Sequence, residues 1–325
     1  MMPKAKSNFV SIFGLLEVGA VLICAASLAA FLAKSWWVFE LACHFRPHLA
    51  VVLAAFSALW ILLKRRRLAL TCATFALINC LFVGSLLLPA KNVAPASGSR
   101  LQLVSLNVHT PNQRADLVLK FLRDSDADVV LLMEVNNRWM DELLPLKTIY
   151  PHCVAAPRKD NFGIALFSKL PLAETNIIEL GEAEVPSVTT QIILDGRKIF
   201  LIGTHPLPPG SAEYARMRND QLAKIRELVK QQTLPTVVIG DLNMTPWSPY
   251  FSDLLKGTGL KNSSQGLGVF NSWPAGLQWV GIPIDHCLVS PEFFVAYKQV
   301  GGRVGSDHLP VMVNLQIART ESMRP

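Results

Sequence analysis

Acidic, amide and imidazole side chains follow or precede strongly hydrophobic stretches at two places in the sequence. The hydrophobic stretch 236–239 leads into Asp241 and Asn243, and Asp307 and His308 come directly before another such stretch. Side chains of a β-strand alternate between its two faces, so Asp241 and Asn243 should point the same way. Carboxylate and amide groups beside an Asp-His pair suit a hard divalent metal ion with a phosphate ester next to it. The two clusters therefore predict phosphate-ester chemistry.

The charge of the chain divides near residue 98. Before that point there are nine Lys or Arg residues and two acids, whereas the remainder has 22 basic and 22 acidic residues. The high isoelectric point, about 9.2, thus comes from the N-terminal part. The remainder lacks the overall basic charge that is typical of nucleic-acid-binding domains.

Three hydrophobic stretches, at about 9–33, 48–63 and 68–88, predict three transmembrane helices within residues 1–89. The middle stretch is short, and it spans a bilayer only if His48 and Lys64 extend their polar ends to the interface. Because further stretches follow the first, a cleavable signal peptide is a poor interpretation of it.

The positive loop Lys64-Arg65-Arg66-Arg67 predicts the orientation, because dense positive loops stay in the cytoplasm. Three spans then place the rest of the chain on the other side, which in a bacterium means an inner-membrane protein with a periplasmic domain. Glu17 lies inside the first span and is a candidate functional residue there. The alternative is a single acid that faces the helix bundle.

Residues 90–99 read as a linker, 100–318 as one folded domain and 319–325 as a tail. The domain pattern predicts roughly nine strands and three or four helices, including a hairpin over 188–204 with Asp195-Gly196 at its turn. Hairpins outnumber crossovers, which favours a mostly antiparallel αβ sandwich. Cys153 and Cys287 are expected to be free thiols, with one disulfide as the alternative.

Six short motifs together resemble the endonuclease/exonuclease/phosphatase superfamily over roughly residues 100–318. They are Ser105-Leu106-Asn107, Leu132-Met133-Glu134, Gly203-Thr204-His205, Gly240-Asp241-Leu242-Asn243, Ile284-Asp285-His286 and Ser306-Asp307-His308. The resemblance implies a four-layer αββα sandwich of the DNase I-like type and a metal-dependent hydrolase of phosphate esters. Segments 204–209 and 241–249 are similar in particular to a bacterial membrane-anchored subgroup whose catalytic domain lies outside the cytoplasm.

The same resemblance implies the metal ligands, which would hold Mg²⁺ or Mn²⁺. They are Glu134, Asn107 and Asp307. For Glu134 the residues themselves agree, because a buried strand rarely ends in an unpaired carboxylate. A salt bridge to an arginine is the alternative for Glu134, and a plain turn is the alternative for Asn107. The number of metal ions stays open.

The catalytic groups implied by the resemblance are His308, Asp285, Asp241, Asn243 and His205. Asp285 and His308 are expected to form a hydrogen-bonded dyad, Asn243 to donate to the phosphate oxygen that gains charge, and His205 to contact the phosphate or assist the leaving group. Whether His308 or Asp241 activates the water stays open, and an Asx-turn is the alternative for the Asp241–Asn243 pair.

Several weaker candidates have structural alternatives. Asn161 and Arg158 are candidate substrate contacts. Arg218 is expected on a solvated helix face, with substrate contact as the alternative. Trp247 and Trp279 could touch lipid, although packing is the expected role.

Three functions remain in order of preference. A membrane-anchored phosphoesterase acting on a lipid-linked phosphate comes first, because a tether raises the effective concentration of lipid substrates. An endonuclease or exonuclease comes second, because the neutral charge disfavours nucleic acid. A non-catalytic scaffold or receptor on the same fold comes last, because the expected site residues are all present.

Overall fold

A computed structural model describes residues 12–89 and 97–318, and it divides the chain into two compact units, Met1–Gly84 and Ser85–Pro325. The predicted linker, 90–99, and tail, 319–325, lie largely or wholly outside the described residues, as do the first residues of the predicted span 9–33. The helices of the first unit are α1 (Ile12–Ala29), α2 (Trp37–His44), α3 (Arg46–Leu62) and α4 (Arg66–Gly84).

Two helical segments of the described chain are long and apolar enough to cross a membrane. They are Ile12–Leu32 and Arg66–Leu87, and each extends α1 or α4 by a short 3₁₀ turn. The predicted middle span, 48–63, falls on α3, which forms a pair with α2 that is bent by 69°. That pair counts as a third span only if both helices together make one crossing. The bend lies at Phe45, before the predicted span 48–63.

The Glu17 side chain on α1 has an ion-pair partner. Its carboxylate lies 3.3 Å from the Arg65 guanidinium, within the positive loop 64–67. The ion pair provides a structural reason for an acid in this helix, because a paired charge is less costly in an apolar environment.

The second unit contains twelve described strands in two sheets. Their bounds are β1 (Gly98–Asn107), β2 (Val129–Met133), β3 (His152–Ala156), β4 (Ile164–Ser168), β5 (Leu172–Glu179), β6 (Pro186–Leu194), β7 (Arg197–Gly203), β8 (Thr236–Asp241), β9 (Lys261–Asn262), β10 (Asp285–Val289), β11 (Phe293–Val300) and β12 (Val311–Ala318). The helices are α5 (Ala115–Asp124), α6 (Asn137–Glu142), α7 (Ala212–Lys230) and α8 (Pro249–Thr258).

The strand order is β11-β12-β1-β2-β4-β3 in the first sheet and β5-β6-β7-β8-β10-β9 in the second. Among the described strands, only β1 with β2 and β7 with β8 run parallel. Each parallel pair is joined by a helix, α5 or α7, because a parallel connection must cross over the sheet. The remaining pairs are antiparallel, as the sequence predicted.

Three hydrophobic cores hold the layers together. One lies between the sheets and includes Leu131 and Leu201; the others include Leu122 of α5 and Ile225 of α7. A side chain of this size stabilises the fold by about 1.5–3 kcal/mol when fully buried. The predicted αββα sandwich is confirmed as two packed sheets with helices on both outer faces.

The hairpin of β6 and β7 has its predicted turn, since Leu194 pairs with Arg197 across Asp195 and Gly196. Both turn residues have positive φ, 47° and 76°, which is the backbone of the favoured two-residue hairpin turn. Cys153 and Cys287 are free thiols.

Candidate active site

Two carboxylates face each other where neighbouring strands of the second sheet end and begin. Asp241 is the last residue of β8, Asp285 is the first residue of β10, and the two are directly paired in the antiparallel register. Paired residues of antiparallel strands have side chains on the same face, about 5 Å apart at Cβ. Both side chains are buried. The sheet therefore places two acids side by side inside the protein.

Gly240 permits this arrangement. Its φ is 145°, and a Cβ at this position would lie 1.9 Å from the carbonyl oxygen of Thr204. Any side chain would therefore push β8 away from the segment that carries His205. Glycine at this position is required by close backbone approach.

His308 completes a buried cluster with the two acids. Its Nδ1 lies 2.9 Å from Asp285 Oδ2, and its Nε2 lies 3.6 Å from Asp241 Oδ2. The Ser306 hydroxyl fixes the preceding loop, since it donates to the Asn107 carbonyl at 2.7 Å and accepts from the His308 N–H at 3.0 Å. The predicted Asp285–His308 pair is present with hydrogen-bond geometry.

The charges of this cluster perturb one another. Burial raises the pKa of Asp241 to about 7, and the nearby Asp285 charge adds to the effect. Burial also opposes ionisation of Asp285, but the His308 charge and hydrogen bond outweigh it and lower the pKa of Asp285 below its usual range. Burial would lower the pKa of His308, yet the two carboxylates raise it to about 10. At neutral pH, His308 is thus an imidazolium bound to an ionised Asp285.

His205 flanks the same acid from another direction. Its Nε2 lies 3.6 Å from Asp241 Oδ2, and its ring packs against Phe162 at a centroid distance of 5.4 Å. Burial and the positive charge of His308 lower the pKa of His205 to about 4. Within the described residues, its Nδ1 has no hydrogen-bond partner. His205 is therefore a neutral imidazole.

Glu134 and Asn107 lie at the ends of the two parallel strands of the first sheet. The Asn107 side-chain amide donates to Glu134 Oε1 at 2.9 Å, and the Thr110 N–H donates to Oε2 at 3.1 Å. Thr110 also donates its hydroxyl to the Glu134 carbonyl. Glu134 has a φ of 61°, in the left-handed region that non-glycine residues adopt uncommonly. Within these described contacts the carboxylate is held by hydrogen bonds rather than by the arginine salt bridge that the sequence left as an alternative.

Asp307 lies on the other side of Asn107. Its Oδ2 accepts from the Trp273 indole at 3.1 Å, and its Oδ1 lies 3.5 Å from His109 Nδ1. The His109 N–H in turn donates to Asn107 Oδ1. Asp307 Oδ1 is shielded from solvent and has no hydrogen-bond partner among the described residues. The structure thus links Asp307 to Asn107 through His109.

These oxygen atoms fit a hard divalent ion. Each Glu134 oxygen accepts one of the hydrogen bonds described above and keeps a second lone pair, and Asp307 Oδ1 is an unused carboxylate oxygen. Mg²⁺ and Mn²⁺ prefer such oxygen ligands. Asp241, Asp285 and His308 also offer ligand atoms within 4.8 Å of one another. We assign that cluster to proton transfer and charge stabilisation, because the Asp285–His308 hydrogen bond already engages two of its donor atoms.

Asn243 forms a turn with Asp241 and also faces the His205 segment. Its N–H donates to Asp241 Oδ1 at 2.9 Å, so the Asx-turn is real. Its side-chain amide donates to the Pro206 carbonyl at 2.9 Å. A side-chain amide has two hydrogens, so one remains for a substrate oxygen.

Arg218 corrects the sequence prediction of a solvated helix face. It is completely buried, and its guanidinium donates to the Asn243 carbonyl at 3.2 Å and to Asn219 Oδ1 at 2.8 Å. The periodicity of α7 could not indicate this, because the partner carbonyl comes from a loop after β8. Arg218 holds the backbone of Asn243 in place.

The two predicted substrate contacts lie on one turn after β3. Arg158 forms an ion pair with Asp160 at 2.8 Å and also donates to the Glu184 carbonyl, while Asn161 is exposed. Their substrate role remains a prediction. Phe162 of the same turn is the residue that touches His205.

Further residues support the site, and two of them, Ser272 and Thr110, lie outside the six motifs. Ser272 accepts from the Asp285 N–H at 3.2 Å, and Thr110 and Ser306 make the bonds described above. His286 turns away from the cluster, and its Nε2 meets the Met244 carbonyl at 2.8 Å. Serine and threonine are common in loops, so only the folded structure distinguishes the residues that support the site from the other serines and threonines of the chain.

Comparison with known proteins gives one family and several related folds. Residues 104–308 match the model of the Endonuclease/Exonuclease/phosphatase family. No curated protein matches the chain.

Three solved structures illustrate the likeness of fold. Danio rerio TDP2 complexed with a single-strand DNA product has a TM-score of 0.57 at 18% identity, covering 67% of this chain and 99% of that one. The 3′ phosphatase NExo from Neisseria, bound to a product DNA hairpin, has a TM-score of 0.55 at 19% identity, with coverage of 66% and 98%. An endonuclease/exonuclease/phosphatase from Beutenbergia cavernae has a TM-score of 0.55 at 19% identity, with coverage of 68% and 72%.

Proposed function

Since the chain belongs to the endonuclease/exonuclease/phosphatase family, we propose that it is a membrane-anchored phosphoesterase that acts on a lipid-linked phosphate. As a member of this family it is a metal-dependent hydrolase of phosphate esters. The observation that carries the proposal is the buried cluster of Asp241, Asp285 and His308 beside the Glu134–Asn107 pair.

Glu134 and Asn107 would hold the divalent ion, with Asp307 as a further ligand. Both main ligands are fixed before any ion arrives, because each carries a hydrogen bond from its neighbours. A bound Mg²⁺ or Mn²⁺ would polarise the phosphate oxygens and acidify a bound water.

Asp241 is the group best suited to accept a proton from the attacking water. A general base works best when its pKa lies near the working pH, and the pKa of Asp241 is raised to about 7. The pKa of His308 is raised to about 10, so at neutral pH it already carries its proton. This difference in pKa supports Asp241 rather than His308 as the base in the proposed mechanism.

His308 then acts as a fixed positive charge. Its imidazolium lies between Asp285 and Asp241, and a phosphate oxygen that gains negative charge would be stabilised beside it. The free amide hydrogen of Asn243 would donate to such an oxygen. His205 is neutral and contributes no second positive charge.

Two features support anchoring at the membrane. The helical segments Ile12–Leu32 and Arg66–Leu87 are long and apolar enough to cross a bilayer. The positive loop 64–67 is expected to stay in the cytoplasm, which sets the orientation of these helices. We propose three crossings, the bent pair of α2 and α3 included, an inner-membrane location and a periplasmic catalytic unit. Membership of the bacterial membrane-anchored subgroup belongs to the same proposal.

A nuclease is the second candidate. It is favoured by the likeness in fold to TDP2 with single-strand DNA and to NExo with a DNA hairpin. The equal numbers of basic and acidic residues after residue 98 argue against it, because affinity for nucleic acid depends on neutralising phosphates. A non-catalytic scaffold is the weakest candidate, since it would not need the His308–Asp285 pair.

The test uses the full-length protein in detergent. We expect hydrolysis of bis-p-nitrophenyl phosphate with Mg²⁺ or Mn²⁺, loss of activity with EDTA, and recovery when metal is restored. A polyprenyl diphosphate, phospholipid vesicles and plasmid DNA are then compared in parallel. Activity that survives EDTA would overturn the metal mechanism, and a preference for DNA would make the enzyme a nuclease.

Topology is tested separately. A reporter fused after Pro325 should behave as periplasmic, and the same reporter placed after Lys64 should behave as cytoplasmic. The opposite result at Pro325 would exclude three crossings.

A further inference from the structure

The longest uncharged segment of the catalytic unit lies next to its active site. Residues 262–284, between Lys261 and Asp285, contain no Asp, Glu, Lys, Arg or His. They form most of the connection from β9 to β10, and we call residues 263–281 the uncharged loop. The rest of the unit is rich in charge, with 22 basic and 22 acidic residues after residue 98. A neutral loop of this length is therefore a local departure in composition.

The outer part of the uncharged loop exposes large apolar side chains. Trp279 is 80% exposed, Leu277 50% and Leu267 43%. The 3₁₀ turn Gln278–Val280 that carries Trp279 has no buried residue. Water contact at a side chain as large as tryptophan is unfavourable by about 25 cal/mol for each Å² of apolar surface. These residues thus form an apolar surface that would gain free energy if covered.

The base of the uncharged loop is fixed to the active site. The Ala275 N–H donates to the Asp307 carbonyl at 2.7 Å, and the Trp273 indole donates to the Asp307 side chain. The Ser272 hydroxyl accepts from the Asp285 N–H, and its carbonyl accepts from the Leu309 N–H. Because both sides of the catalytic cluster hold this base, the exposed residues project from a fixed point beside the site.

The start of the uncharged loop is bound to the first residues of the same unit. The Gln265 side chain donates to the carbonyls of Ser85 and Leu88, and the Gly266 N–H donates to that of Leu86. Leu87 and Leu88 in this turn are themselves exposed. A membrane-crossing helix that ended at Leu87 would bring the bilayer interface to this turn.

From these observations we propose that the uncharged loop enters the interface of a lipid bilayer through Leu277 and Trp279. Tryptophan and leucine suit that layer, where an apolar body meets a polar boundary. The exposed Arg303 guanidinium lies 3.9 Å from where a Cβ on Gly276 would be, so a cation accompanies the apolar residues at headgroup level. The absence of charge in the loop disfavours nucleic acid as the partner, because its phosphates require cations. This inference deepens the proposed function and rests on it for the chemistry at the site.

The contact itself is tested by fluorescence in the full-length protein in proteoliposomes. The exposed cysteines are replaced (Cys80→Ser, Cys153→Ser), and an environment-sensitive NBD label is attached at Trp279→Cys. We expect a blue-shifted emission that lipid-borne spin labels quench at least threefold more than the same probe at Leu144→Cys. Leu144 is the matched control, since it is 51% exposed on the same tethered unit. Equal quenching at the two positions would overturn the proposal.

Hydrolysis separates this inference from the proposed function. The double variant Leu277→Ser, Trp279→Ser should hydrolyse bis-p-nitrophenyl phosphate within twofold of the unaltered protein, yet lose at least tenfold of its rate on a phosphate lipid in vesicles. Equal loss on both substrates would show a structural role and overturn the proposal, as would selective loss on plasmid DNA. If the unaltered protein hydrolyses none of these substrates, the proposed function fails, while the quenching result still decides whether the loop contacts the bilayer.

Discussion

Two imidazoles flank one carboxylate oxygen of Asp241 at the same distance, 3.6 Å, and yet they differ in charge. His308 has a second acid, Asp285, at 2.9 Å, and its pKa is raised to about 10. Burial and the His308 charge lower the pKa of His205 to about 4. One additional carboxylate therefore reverses the effect of burial. The hydrogen-bond partner on the far side of the ring, more than the distance to the reacting group, therefore decides the charge of a histidine.

The largest difference in activity between His205 and His308 should be seen when each side chain is removed. We expect His308→Ala to lower kcat/KM for bis-p-nitrophenyl phosphate by about 10²–10⁴-fold, because the fixed positive charge is lost. His205→Ala should cost about tenfold or less. His152→Ala, on the edge strand β3, serves as a control and should change nothing. Equal losses at His205 and His308 would show that their difference in charge has no functional consequence.

The second-largest effect is expected for Asp285, the acid that is hydrogen-bonded to His308. Asp285→Asn removes the charge that raises the pKa of His308, so we expect a loss on the order of 10²-fold and an alkaline limb of the pH–rate profile that moves to lower pH. Asp285→Glu keeps the charge and should keep the alkaline limb in place, even at a reduced rate. An unmoved limb in Asp285→Asn would mean that the limb belongs to another group.

The pH–rate profile of the unaltered enzyme should have two limbs. Activity needs Asp241 ionised, so it should fall roughly tenfold per pH unit below the raised pKa of about 7. It also needs His308 protonated, so it should fall again above about pH 10. The profile is measured with saturating metal. Activity that stays constant down to pH 5 would exclude Asp241 as the base.

The smallest effect should be on stability. The pKa of His308 is higher in the folded than in the unfolded protein, so its contribution is fully present below about pH 6.5 and is lost as the pH rises through about 10. We expect the thermal unfolding temperature of the unaltered protein to fall by a few degrees more between pH 7 and 10 than that of His308→Gln. Because other groups titrate in both proteins, the difference isolates His308. A parallel decline would contradict the raised pKa.

Much of the site followed from the order of short motifs along the chain. Asp241, Asp285 and His308 meet as expected, because each lies at or near the end of a strand and strand ends collect at one edge of a sheet. The neutral state of His205 could not be predicted, since it depends on which buried groups surround the ring. The buried role of Arg218 was missed for the same reason, as its partner carbonyl is distant in sequence.

The fold was predicted best where the pattern was strong. The hairpin of β6 and β7 lies within two residues of its predicted bounds, 188–204. The strands β3 and β5 were not predicted. Both lie at sheet edges and are only partly buried, and their sequences do not show the alternation of apolar and polar residues that indicates a strand. The bend between α2 and α3 lies at Phe45, before the apolar stretch 48–63 on which the prediction of a middle span rested.

The last described strand, β12, lies inside the first sheet, one strand from its edge. β12 pairs with β1 on one side and with β11 on the other, and the Ser306 hydroxyl just before it donates to the Asn107 carbonyl. The strand β1 therefore cannot pair with β12 until nearly the whole unit has been synthesised. On the proposed mechanism, a nascent chain that has not yet delivered residue 308 has no His308–Asp285 pair and no activity.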